Sequence, residues 1–112
     1  MDDLVQWLGC QPEEDERIAE AATPGPWHAR EGGVAARGGE NWPVAYTGSC
    51  LGGVVCEHFA EHDPTRVLDE LSAKTKLMAW ARKETPATAE KVLRLLSEPY
   101  AHRPGYRDEW RP

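Results

Sequence analysis

The stretch from Cys56 to Pro64 reads CEHFAEHDP, and inside it His58, Glu61 and His62 match the pattern H-x-x-E-H. In that pattern two imidazoles hold zinc, and the glutamate acts as general base on the metal-bound water. Residues four apart on a helix share a face, so His58 and His62 could approach one ion. Three features oppose a hydrolase. Asp63-Pro64 is a helix start, which leaves the pair in the last turn of a short segment with little rigid support. No third ligand stands out, since Glu70 and Glu84 read as helix-surface residues. A chain of 112 residues also hardly supplies a substrate groove.

A structural zinc site is the better metal reading, with Cys50, Cys56, His58 and His62 as ligands and Glu61 as a bystander. Its spacing, C-x5-C-x-H-x3-H, is not that of a familiar finger, and the ligands would have to meet across a strand-to-helix turn. The favoured expectation is no metal and no cofactor. In that reading Cys56 is a small core residue, His58 opens a helix, and His62 sits at a helix C-terminus where the dipole suits it. Ser49-Cys50 with His28 offers a thiol and base only in the sense that any small protein does. Gly38-Gly39 and Gly52-Gly53 lack the following Lys-Ser or Lys-Thr of a phosphate loop.

The elements that would position these residues follow from periodicity. From Asp3 to Ala22, Leu4, Trp7, Leu8, Ile18, Ala21 and Ala22 fall near a helical period, with acidic residues on the other faces. Gly9 and Pro12 interrupt this helix; an internal proline costs on the order of 3 kcal/mol, which predicts a kink or a break. ATPGPW, residues 22–27, ends the helix. Short alternating runs at 27–30, 34–37, 43–47 and 51–56, divided by glycine pairs, predict an antiparallel meander over 27–56, with Pro43 at a strand start or edge. A short helix over 57–62, a long one from Asp63-Pro64 to about Arg82 and a third from Thr85-Pro86 fill 57–97. Residues 98–112 have proline at 99, 104 and 112 and no periodicity, and read as an irregular arm. The whole is one α+β domain over 1–112: an acidic helix at 1–22, the meander, then two to three helices packed on the sheet.

Charge and aromatic usage bear on partners. The net charge is −6, and Asp2, Asp3, Glu13, Glu14, Asp15, Glu16 and Glu20 face a single Arg17 in the first 22 residues. An acidic surface gives direct nucleic-acid binding no electrostatic footprint. It suits a solvated helix face or a basic protein partner. Five tryptophans and three tyrosines against one phenylalanine favour half-wet apolar surfaces. Trp7 and Trp27 are expected in the core, and Trp42, Tyr100, Tyr106 and Trp110 on a contact surface, unless the arm folds back and seals its own domain. No long apolar run is present and the start is acidic, so a cytoplasmic protein with free thiols is expected.

Two motifs carry a resemblance. EHFAEHDPTRVLDELSAK and LRLLSEPYAHRPGYRDEWRP resemble an actinobacterial family of small proteins of unknown function, marked by HDP-x-RVL and PYA-x-RPGYR-x-EW. The opening MDDLVQWL fits it too. AATPGPW followed by a meander and an Asp-Pro helix start is similar to the layout of Ead-like early proteins of phages. The resemblance implies no catalytic residues and no cofactor. The expected function is a non-catalytic protein-interaction module of phage or prophage derivation. Its sharper form is an acidic inhibitor of a host defence or nucleic-acid-binding protein, engaging its partner through Glu13, Glu14, Asp15, Glu16 and the aromatic residues above. A homodimer would serve the same surfaces, and a small zinc-binding domain is the alternative.

Overall fold

The computed structural model describes residues 1–36, 43–46 and 52–112; Trp42, Gly38-Gly39, Ser49 and Cys50 lie outside the described residues. The fold is α+β. In chain order come α1 (Asp2–Ala21), β1 (Trp27–Arg30), β2 (Gly33–Ala36), β3 (Pro43–Tyr46), α2 (Gly52–Glu61), α3 (Pro64–Ala81) and α4 (Pro86–Ser97). Two 3-10 turns follow, Glu98–Tyr100 and Asp108–Trp110. No helix among the described residues is long and apolar enough to cross a membrane. The chain divides into two compact units, a helical one of residues 1–15 and 71–112 and a sheet-containing one of residues 16–70.

In the sheet-containing unit the order is β1-β2-β3, antiparallel throughout. Trp27 pairs with Ala36 and Arg30 with Gly33, closing a tight hairpin in which Gly32 takes a φ of 76°, a conformation glycine adopts without steric cost. All four residues of β2 are buried, as a central strand requires. Pro43 begins β3, where its missing N–H costs no ladder bond, and the register shifts between Val34 and Ala35. α2 packs on β1 and β2.

That helix corrects the expected strand over 51–56 and the short helix over 57–62. Gly52 to Cys56 form the first half of α2, with Val54 79% exposed and Cys56 buried. A five-residue apolar run fits either period, so strand and helix are not separable there by pattern alone. α3 starts as expected at Pro64. The Asp63 carboxylate accepts the Arg66 N–H at Oδ1 (2.9 Å) and the Trp27 N–H at Oδ2 (2.9 Å). One buried side chain therefore caps a helix and fixes the turn that leads into β1. Gly25 is required beside it, because an added Cβ would fall 2.8 Å from Asp63 Oδ2.

In the helical unit, α1 supplies Leu4 and Leu8 to a core completed by Leu93, Tyr100 and Trp110, with Val5, Trp7, Met78, Leu96 and Tyr106 packed against it. α1 runs through Pro12 without the expected break. Burying Leu4 and Leu8 is worth about 1.5–3 kcal/mol each, enough to offset a proline defect of about 3 kcal/mol on the same helix.

Asp63→Ala is expected to destabilise the protein by about 2–4 kcal/mol, combining a lost cap with a second buried N–H left unpaired. Asp63→Asn, which keeps one acceptor, should lose roughly half of that. Urea unfolding followed by circular dichroism checks both, and an Asp63→Ala loss below about 0.5 kcal/mol would contradict the dual role.

Candidate functional site

His58 lies in the last half of α2 and His62 in the turn one residue past its end. The His58 and His62 rings are adjacent and tilted, with centroids 4.4 Å apart, both side chains exposed, and His62 Nδ1 lies 2.8 Å from the His58 carbonyl. Cys56 is two residues from His58, about 160° away around the helix, and only 1% exposed. It faces the core while the imidazoles face solvent, so α2 does not bring Cys56 to the histidines. Glu61 is engaged elsewhere: Arg66 donates to its carboxylate (3.3 Å) and to its carbonyl (3.3 Å). Among the described residues no group of three or more His, Cys, Asp or Glu could hold a metal ion.

The C-terminal stretch is the larger correction. Tyr100 and Trp110, expected on a contact surface, are 4% and 6% exposed and belong to the core of the helical unit. Trp7, expected in the core, is half-buried and receives the tail on its ring: Tyr106 edge-on at 5.6 Å and Trp110 tilted at 5.5 Å between ring centroids. Its indole N–H donates to the Pro104 carbonyl (2.9 Å). Gly105 lies over the same ring with a φ of 90°, and a Cβ there would fall 2.7 Å from Trp7 Nε1. Tyr106 is half-buried, with a hydroxyl that has no hydrogen-bond partner among the described residues. Trp27 is half-buried, donating its indole N–H to the Thr23 carbonyl (2.9 Å).

A polar network ties this stretch to α1. Arg103 pairs with Asp15 Oδ1 and donates to the Gln11 carbonyl (3.3 Å) and Gln11 Oε1 (3.2 Å). The Tyr100 hydroxyl donates to Asp15 Oδ2 (2.9 Å) and accepts from Lys74 (2.7 Å), while Lys74 and Arg103 both lie over the Tyr100 ring. Burial raises the Tyr100 phenol above its ordinary value near 10, the hydrogen bond and charge of Asp15 add to the rise, and Arg103 opposes it. A phenol held protonated in this way is a poor base and a good structural donor. Arg107 reaches Asp3 (2.9 Å), and Arg94 of α4 donates to the Glu109 carbonyl (3.0 Å).

Of the acidic residues expected at a partner surface, Asp15 is thus consumed by the fold and Glu14 is half-buried; Glu13 and Glu16 are exposed. Sequence reasoning missed a different face. On α3, Ala73, Leu77 and Trp80 lie within about 60° of one another and all three are exposed, Leu77 at 41% and Trp80 at 48%. The inward positions are Leu71, Lys74, Met78 and Ala81. Spacings of four and three residues at 73, 77 and 80 were the available signal, hidden because the inward residues share the same period. A shallow groove of about 340 Å³ beside Ala87, Leu95 and Pro112 adds apolar surface, flanked by an ion pair of Arg94 with Glu90 (2.6 Å).

These features define a small α+β protein with an exposed apolar stripe on one helix. The chain belongs to a family whose description is "Family of unknown function (DUF6221)", and the match spans residues 1–112. No curated protein and no solved structure matches it.

Arg103→Ala should cost about 2–3 kcal/mol in urea unfolding, because Asp15 is left half-buried without its cation, and Arg103→Lys should recover only part of this. The raised Tyr100 phenol keeps its proton in the folded state where the unfolded chain has lost it. Stability is therefore intact below pH ~10 and falls as pH rises further. Unfolding measured between pH 9 and 11 should show that fall, and Tyr100→Phe, less stable at neutral pH, should show a shallower one.

Proposed function

We propose that the protein is a non-catalytic protein-interaction module whose binding face is the outer stripe of α3. The carrying observation is Trp80, a tryptophan 48% exposed on a regular helix, with Leu77 one turn before it. A tryptophan contributes a large apolar area and a single donor, which suits a surface that alternates between water and a partner. Hot spots at interfaces are enriched in this residue. The aromatic residues of the tail are not free for that role, since the fold already uses them.

A narrower form of the proposal concerns charge. Asp2, Glu13, Glu16 and Glu20 are exposed and fall within about 60° on α1, opposite Leu4 and Leu8. Such a stripe suits a basic partner, including a nucleic-acid-binding protein that it would inhibit. Phage or prophage descent and a cytoplasmic setting belong to the same proposal and rest on sequence alone. A second copy of the chain is the other occupant the α3 stripe would suit.

The test is affinity capture from the native host with the wild-type protein and with Leu77→Ala/Trp80→Ala, followed by mass spectrometry and a binding measurement on the recovered partner. The double substitution should weaken binding by at least about thirtyfold, the loss of one hot spot, with an unchanged circular dichroism spectrum. Binding that survives the substitution undiminished would remove the α3 stripe from the proposal. Binding that persists in 1 M salt would remove charge as its main term. Sedimentation of the pure protein distinguishes a self-partner from a foreign one.

A further inference from the structure

We infer that His58, in the last half of α2, and His62, in the turn that follows it, form a two-imidazole chelate for a divalent transition-metal ion of the Cu²⁺, Ni²⁺ or Zn²⁺ class. The site is independent of the interaction face and differs from the four-ligand zinc set expected from sequence, because Cys56 is turned into the core.

Three observations carry it. The rings are adjacent and exposed, with centroids 4.4 Å apart and an interplanar angle of 37°. Two imidazoles on one tetrahedral ion, each bound at 2.0–2.1 Å, place their centroids about 5 Å apart, so side-chain rotation of less than about 1 Å opens the pair to the required span. Second, His62 Nδ1 lies 2.8 Å from the His58 carbonyl. A carbonyl only accepts, so Nδ1 carries the proton, and in the neutral ring the lone pair resides on Nε2. An N–H held by a backbone carbonyl is the arrangement that fixes tautomer and orientation in a metal-ligating histidine. Third, Arg66, four residues after His62, is engaged by the Glu61 carboxylate and carbonyl and by Glu70 (2.9 Å), so its charge is partnered by carboxylates.

The two nitrogens would occupy two positions of the ion, and water the rest. Imidazole ligands of this kind follow the general order in which Cu²⁺ exceeds Ni²⁺ and Co²⁺. Glu61 has no part in coordination, and no hydrolytic role follows from the H-x-x-E-H spacing.

The probe is Ni²⁺ alone, titrated into the full chain carrying Cys10→Ser and Cys50→Ser so that thiolates do not compete. Calorimetry gives affinity, and paramagnetic broadening of histidine ring resonances gives position. One ion per chain is expected, with His58 and His62 signals lost first and those of His28 and His102 retained. His58→Ala and His62→Ala should each weaken binding at least about tenfold, while His102→Ala leaves it unchanged. Circular dichroism of each variant confirms that the fold is kept. The inference is overturned if His58→Ala/His62→Ala binds Ni²⁺ as tightly as the parent, or if broadening begins at His28 or His102.

Discussion

Arg103 spans the weakest point of α1. Pro12 deprives the helix of one N–H at its middle, and Arg103 takes hold on both sides of that gap: Gln11 before it, through carbonyl and side chain, and Asp15 after it. The same guanidinium lies over the Tyr100 ring, whose hydroxyl also donates to Asp15. One side chain thus supports a helix that proline would otherwise interrupt and anchors the C-terminal stretch to it. The pair with Asp15 is only one-fifth exposed, so solvent screens it less than a surface ion pair.

The tail motif PYAHRPGYRDEW can be read residue by residue in these terms. Tyr100 enters the core, Arg103 bridges α1, and the Pro104 carbonyl accepts the Trp7 N–H. Gly105 leaves room for the Trp7 ring, Tyr106 and Trp110 pack against that ring, and Arg107 pairs with Asp3. In the sheet-containing unit, HDP and TPGPW have a matching relation, since the Asp63 carboxylate binds the backbone N–H of Trp27. The motifs that stand out most in the sequence therefore serve the fold. The proposals rest instead on side chains the fold leaves exposed, Leu77 and Trp80 on α3 and the pair His58 and His62.

Much of this fold was legible because it rests on local signals. Asp63-Pro64 and Thr85-Pro86 start helices where they should; the first three glycine-punctuated runs carry strands; and ATPGPW ends α1. The errors have physical causes. Pro12 suggested a break because its cost is local, whereas the leucines and Arg103 that offset it act through distant partners. Residues 98–112 have no period, and their order comes from contacts more than 80 residues away in sequence, such as Arg103 with Asp15 and Trp7 with Pro104. Tyr100 and Trp110 were assigned to a partner for the same reason. Cys56 was expected as a small core residue and is buried, on the side of α2 opposite His58.

Amide hydrogen exchange of the intact chain tests most directly whether residues 98–112 are part of the core. The N–H groups of Ala101, Arg103, Trp110 and Arg111 donate to Glu98, Tyr100, Arg107 and Asp108, all within the tail. Their protection should approach that of the α1 amides around Leu8, since both would open in one cooperative step. Exchange of these four amides at the rate of an unfolded chain, with α1 still protected, would show a free arm and contradict it.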